Sequence, residues 1–202
     1  MTAWVSDGFH GGSRAVGEGP RSGMSEGGRP GPRTIPVTTY YLEMTSREQL
    51  HRRVCLRDDL GLTCVEPPVP ELNRFFYTAI GADWHWLDRL PWTRGDWLDY
   101  LVQPGIETWV LRAGGSPAGY FELDARSGRE VEIVYFGLLK QYTGGGLGAH
   151  LLTSAVERAW DLGARRVWLH TCSLDDPRAM PHYLSRGFVL VRQEESLRMV
   201  SP

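Results

Sequence analysis

The succession of patterns along the chain predicts an α/β domain, a mixed central β-sheet flanked by α-helices. Three observations carry that prediction. Three strand-like segments joined by tight turns occupy the middle of the chain, the last runs through a glycine-rich junction into an amphipathic helix, and strand, short helix and strand follow it. With 202 residues, one domain is expected. Mean hydropathy is −0.30 with 23% charged residues, and no window approaches the ~18 consecutive apolar residues of a membrane span. A formal charge of −2 leaves no basic excess to neutralise phosphates, which excludes a mainly electrostatic nucleic-acid binder. Cys55, Cys64 and Cys172 are odd in number and form no CxxC pair, so neither a disulfide framework nor a cysteine zinc site is expected. A reducing cytoplasm is the simplest compartment.

Residues 1–34 hold nine of the 24 glycines and show no apolar periodicity, so they read as a disordered arm, with the folded domain over 35–202. The arm lacks the apolar h-region of an export signal, and Met24 inside it is an alternative start. Val37 to Glu43 reads as the first strand. Thr45 or Ser46 caps a helix over about 46–60, where Thr45-x-x-Glu48 fits a capping box. After Pro67, Pro68 and Pro70 a helix over about 70–80 follows from Leu72, Phe75, Phe76, Ala79 and Ile80, with Gly81 as its αL stop. Thr93-x-x-Asp96 opens a short third helix. Glu107 to Arg112, Ala118 to Leu123 and Val131 to Leu138, separated by Gly114-Gly115 and Ser127-Gly128, form a β-meander. Leu151, Leu152, Ala155, Val156 and Ala159 then mark a helix ending at Gly163. Arg166 to Thr171 is a strand, Pro177 to Arg186 a helix closed by Gly187, and Phe188 to Arg192 a last strand.

Chemistry concentrates at the junction Gln141-Tyr142-Thr143-Gly144-Gly145-Gly146-Leu147-Gly148. Glycines let the backbone approach an anion, and the unpaired N–H groups of the helix N-terminus point at it with the favourable end of the dipole. Gly144-x-Gly146-x-x-Ala149 formally matches the looser dinucleotide fingerprint. That motif normally follows the first strand of its unit, however, and the strand ending at His170-Thr171 offers no ribose-binding acid. A P-loop needs Gly-Lys-Ser/Thr, and Lys140, the only lysine, precedes the glycines.

Gln141-x-x-Gly144-x-Gly146 resembles the Gln/Arg-x-x-Gly-x-Gly/Ala motif of the GNAT acyltransferase superfamily. Asp176-Pro177-Arg178-Ala179 through Tyr183-x-x-x-Gly187-Phe188 resembles the family's Asn-x-x-Ala-x-x-x-Tyr-x-x-x-Gly-Phe. The departures are Thr143, where many members carry Arg, and Asp176, where many carry Asn. The likeness runs from about Val37 to Arg192 and implies the GNAT fold and an N-acetyltransferase. Such an enzyme moves an acetyl group from acetyl-CoA to a primary amine of a small molecule or peptide by direct attack. It also implies that the coenzyme is held by Phe136, Gly137, Leu138, Gln141, Thr143 to Gly148, and Asp176. A strand bulge, eased by Gly137, would free a backbone N–H near Leu138 to polarise the thioester carbonyl.

Amine transfer needs a base and an acid. Glu132 in Val131-Glu132-Ile133-Val134-Tyr135-Phe136 resembles the catalytic glutamate of histone-acetylating members. A salt-bridged carboxylate is the other reading, and Glu132, Val134 and Phe136 are expected to share one face. Tyr183 matches the family tyrosine that reaches the sulfur, and otherwise covers the core. Asp176 either caps the following helix or contacts the coenzyme arm. Trp84, Trp86, Trp92, Trp97 and Trp109 crowd the segment where the family builds its acceptor pocket, so Trp84, Trp86, Glu122 and Glu132 are the expected amine contacts, against core packing as the plainer use. His85 and His170 show no ligand spacing, and no metal is expected. No nucleic-acid or membrane partner is expected, and a homodimer is left open. A module that binds or senses acyl-CoA without catalysis is the second hypothesis, and a peptide-binding protein using the aromatic segment is the third.

Overall fold

The computed structural model describes residues 33–200. The glycine-rich arm lies outside the described residues, except that residues 33 and 34 already belong to a strand. In chain order the elements are β1 (Arg33–Met44), β2 (Leu60–Cys64), α1 (Pro70–Gly81), α2 (Arg94–Leu101), β3 (Ile106–Ala113), β4 (Ser116–Asp124), β5 (Glu130–Leu138), α3 (Leu147–Asp161), β6 (Arg166–Cys172), α4 (Ala179–Ser185) and β7 (Val189–Val200). The strands form one sheet ordered β2-β3-β4-β5-β6-β1-β7. β5 and β6 run parallel because α3 carries the chain back between them, and the other neighbours are antiparallel.

Each face of the sheet has its own helices. Leu147, Leu151, Leu152, Ala155, Val156 and Ala159 recur at helical spacing and bury one side of α3. They pack on Phe121, Leu123, Val131, Ile133, Val167 and Leu169. On the other face Phe76 and Ile80 of α1 meet Val110 and Tyr120, while Tyr77 joins Trp97 and Leu101 of α2 beside Tyr135. These sheet partners all lie on β3, β4 and β5. On β6 and β1 the same face carries Trp168, His170 and Tyr41, with His170 exposed and the other two half-buried.

The meander, the second and third helices and the downstream elements stand where the patterns put them, and Thr93 with Asp96 forms the expected capping box. Residues 46–60 do not form the expected helix. Only a 3₁₀ turn, Arg47–Gln49, is present, capped reciprocally by Ser46 and Gln49. The backbone beyond it bonds to the rest of the molecule: His51 N–H donates to the Arg186 carbonyl at 3.0 Å and Arg53 N–H to Thr153 Oγ1 at 3.0 Å. Tertiary partners outbid weak helical periodicity there, and Leu56 remains 91% exposed. β2 was missed although Leu60, Leu62 and Cys64 alternate with exposed residues.

Gly81 is not an αL stop. It lies inside α1, where a Cβ would come within 2.5 Å of Trp86. β1 and β7 outrun their predicted ends because they pair with each other from Arg33↔Val200 to Glu43↔Val189. The exposed charges of residues 192–198 hid that strand from an apolar pattern.

Candidate active site

Between β5 and β6 the sheet opens. Parallel pairing holds only from Glu130↔Arg166 to Glu132↔Trp168, and beyond Glu132 the two strands separate into a wedge. β5 remains paired with β4 along its other edge up to Leu138↔Gly119. Leu139 N–H donates to the Ala118 carbonyl at 2.9 Å. Antiparallel alternation therefore turns the N–H of Leu138 away from β4 and towards the wedge.

The β5 bulge is at Val134, not at Gly137: Glu122 faces Tyr135 and Leu123 faces Ile133, which leaves Val134 extra. Gly137 has another physical reason, since a Cβ there would sit 2.6 Å from Ile80 Cγ2 and push α1 off the strand. The extra residue also breaks the two-residue period. Glu132 alternates with the buried Val131 and Ile133 and so points to the α1/α2 face, whereas Phe136 packs with the α3 core. The expected shared face of Glu132, Val134 and Phe136 does not exist.

Beyond the wedge, the glycine junction forms the mouth of α3. Gly144 and Gly146 have φ of +84° and +79°, which disfavours side chains, and a Cβ on Gly144, Gly145 or Gly146 would meet nothing within 4 Å. Gly146 is the N-cap and contributes no side-chain bond, so the helix's first N–H groups face an open cavity of about 390 Å³. Gln141 and Thr143 are exposed at its approach, while Leu147 is buried and anchors the helix.

The cavity is lined by Gly145, Gly146 and Ala149 on one side and by Arg53, His182 and Arg186 on the other. Sequence reasoning missed these three. Arg53 arrives because Gly187, at φ +102°, lets the chain at Gln49 cross the end of α4, where a Cβ would strike the Gln49 carbonyl at 1.8 Å. His182 Nε2 and Arg186 Nε are buried without hydrogen-bond partners among the described residues. Burial, with Arg186 alongside, holds the His182 imidazole below its usual range. Two guanidinium groups and free N–H groups around open space fit a phosphate-bearing ligand, and the arginines supply the charge that Thr143 lacks.

Tyr183 of α4 stands on the α3 side of the wedge, edge-on to Phe136 with ring centroids 6.3 Å apart. Burial, reinforced by the charges of Asp175 and Asp176, holds its phenol above the ordinary range and so keeps it protonated. Asp176 closes a turn before α4: its Oδ1 accepts from Arg178 N–H at 2.9 Å, and the Arg178 side chain holds its carboxyl below the usual range. Glu132 stands on the opposite face, with Oε1 3.1 Å from Nδ1 of His170. Asp124, Glu132 and Trp168 lie in register across β4, β5 and β6.

The expected amine contacts fare differently. Glu122 is fully buried, accepting from Arg89 Nη1 at 2.9 Å, Tyr100 Oη at 2.8 Å and Asn73 Nδ2 at 3.2 Å, so its carboxylate has no face left for a substrate. Arg89 is enclosed by Trp92, Trp97, Tyr100 and Tyr135, each ring centroid within 5.4 Å of its guanidinium carbon. Burial works against its charge, and Glu122 with Tyr100 and Tyr135 more than offsets that, leaving it protonated. Trp86 packs between Tyr77 and Tyr135 at 5.7 and 4.8 Å. Trp84 is half-buried in the turn after α1. Trp109 stacks on Phe121. Of the five tryptophans, Trp97 is buried, Trp86 and Trp92 pack against its cluster, and Trp109 packs against the α3-side core.

Among the described residues no group of three His, Cys, Asp or Glu could hold a metal ion, and no helix is long and apolar enough to cross a membrane. A family model described as "Acetyltransferase (GNAT) family" matches residues 69–188. Uncharacterized N-acetyltransferases of Mycobacterium bovis and Mycobacterium tuberculosis are 34% identical over 90 residues, 45% of this chain. The match spans only 57% of those relatives. Among solved structures, an N-acetyltransferase from Sphaerobacter thermophilus superposes with a TM-score of 0.62 at 16% identity, over 85% of this chain and 54% of that one. One from Kribbella flavida superposes with a TM-score of 0.57 at 19% identity, over 84% and 60%.

Proposed function

Because the chain belongs to the GNAT acetyltransferase family, we propose that it transfers an acetyl group from acetyl-CoA to a primary amine of a small molecule or peptide by direct attack. One observation carries the reading: the β5/β6 wedge has an open, cation-lined helix mouth on one side and the Glu132–His170 pair on the other. When bound, acetyl-CoA supplies the activated thioester. The N–H groups at Gly144 to Gly148, with Arg53 and Arg186, hold its phosphates. The Leu138 N–H faces the wedge and polarises the carbonyl.

Tyr183, kept protonated by burial, supplies the proton that leaves with sulfur. Glu132 drives deprotonation of the acceptor from the other face. Asp176 orders the entry to α4. Three free thiols, Cys55, Cys64 and Cys172, suit a reducing cytoplasm.

The test is calorimetry with acetyl-CoA, followed by thiol release with phenylethylamine, lysine, a peptide with a free N-terminal alanine, and kanamycin. Tyr183→Phe should keep coenzyme affinity and lose about tenfold to 100-fold in turnover. In the wild type, the alkaline limb set by Tyr183 should lie above the ~10 of a free phenol, because burial raises it. Coenzyme binding without thiol release from any amine would favour the sensing module. An unaltered Tyr183→Phe profile would leave Tyr183 as packing.

A further inference from the structure

The open half of the α1/α2 face bears a chemical group that the mechanism above does not use. His170 follows Trp168 by two residues on β6, so both project from the face opposite the buried Val167 and Leu169. Its Nδ1 lies 3.1 Å from Glu132 Oε1. The His170 side chain is 43% exposed and that of Glu132 19%, so the imidazole is the more open of the two groups at the root of the wedge. A carboxylate only accepts, so Nδ1 donates to it, and the neutral ring then presents an unprotonated Nε2 outwards.

From β1, Tyr41 pairs with His170 in register, its ring 6.0 Å away. From β7, Arg192 covers Tyr41 and Glu194 accepts the Tyr41 hydroxyl at 3.0 Å, so the charges on that side are already engaged.

We infer that His170 is the catalytic base of this chain and that Glu132 is its positioning residue. The inference rests on the acetyl-transfer reading and deepens it. The acceptor's ammonium gives one proton to His170 Nε2, which passes it to water. The freed lone pair forms the C–N bond to the acetyl carbon as the C–S bond breaks, and the sulfur takes the Tyr183 proton. The second proton shed by nitrogen as the amide forms returns to Tyr183 through water. One proton is released overall. Imidazole is a stronger base than carboxylate and can accept a proton near neutral pH, where an amine acceptor is protonated and inert.

Two measurements test this on the full chain. Nitrogen NMR of the free protein should show His170 as its Nδ1–H tautomer, and Glu132→Gln should abolish that bias. In thiol release with the fastest amine of the panel, His170→Gln should fall about 100-fold at pH 7 and recover about tenfold or more by pH 9.5, as the amine deprotonates in solution. Its acetyl-CoA affinity should stay within about twofold by calorimetry, and Glu132→Gln should lose about tenfold. A collapse in Glu132→Gln with His170→Gln nearly intact would overturn the assignment in favour of direct proton transfer to the carboxylate. The Nε2–H tautomer, or a parallel pH profile in His170→Gln, would also overturn it. If wild-type protein binds no acetyl-CoA, the acetyl-transfer reading fails instead, and that result is distinguishable from the others.

Discussion

The junction at residues 143–149 and the segment at residues 84–100 both stand out in composition, one by glycine and the other by tryptophan, and the fold uses them in opposite ways. At the junction the chain withholds side chains: two left-handed glycines turn the backbone, and the helix mouth faces open space lined by Arg53 and Arg186. In the tryptophan segment it fills the space with side chains. Trp92, Trp97, Tyr100 and Tyr135 enclose Arg89, and Glu122 neutralises it from below. The contrast teaches that a glycine pattern reports function more directly than an aromatic one. Few structural needs call for positive φ in front of a helix, whereas aromatic side chains serve a core as well as a pocket.

The largest expected effect tests the closed region. Glu122→Ala leaves Arg89 buried and unpaired, which should cost about 3–5 kcal/mol of stability in chemical denaturation. Coenzyme affinity in the remaining folded protein should not change. If affinity falls while stability holds, the segment belongs to the site and the contrast breaks.

Next comes Gly146→Asp. Aspartate is tolerated at left-handed φ better than most residues and is a favoured N-cap, so the fold should survive. Its charge lies where the anion should, and acetyl-CoA affinity should drop about 100-fold or about 2.7 kcal/mol by calorimetry. Unchanged affinity in a folded variant would remove the anion site. The smallest effect is that of Arg53→Ala. One exposed guanidinium among several donors should account for about threefold to tenfold in affinity, and the difference should shrink as salt is raised. A salt-independent loss would assign Arg53 a packing role.

Legibility followed the range of the interactions. The meander was readable because its turns are local, and so was α3, whose periodicity and glycine mouth lie in one continuous stretch. Residues 46–60 misled because the backbone partners of His51 and Arg53 are Arg186 and Thr153, far along the chain. Glu132 and Phe136 are identifiable as residues, but their placement on opposite faces depends on the bulge at Val134. Strand alternation contains no signal for such an insertion. His170 shows no ligand spacing in the sequence, and only the parallel pairing of β5 with β6 brings it to Glu132.

By itself, the sequence determined the α/β class, the strand–glycine–helix junction and the chemistry such a junction suits, because each depends on neighbours within one or two turns of chain. Only the tertiary structure decided which carboxylate is sealed and which is open. Glu122 and Glu132 stand on strands that pair with each other, ten residues apart, in similarly apolar surroundings. What separates them is the rest of the fold: α1, α2 and the loop carrying Arg89 cover one, while among the described residues no helix covers the β6 side of the other, which lies partly exposed beside His170. Burial is a property of what packs against a residue, and those partners come from distant parts of the chain.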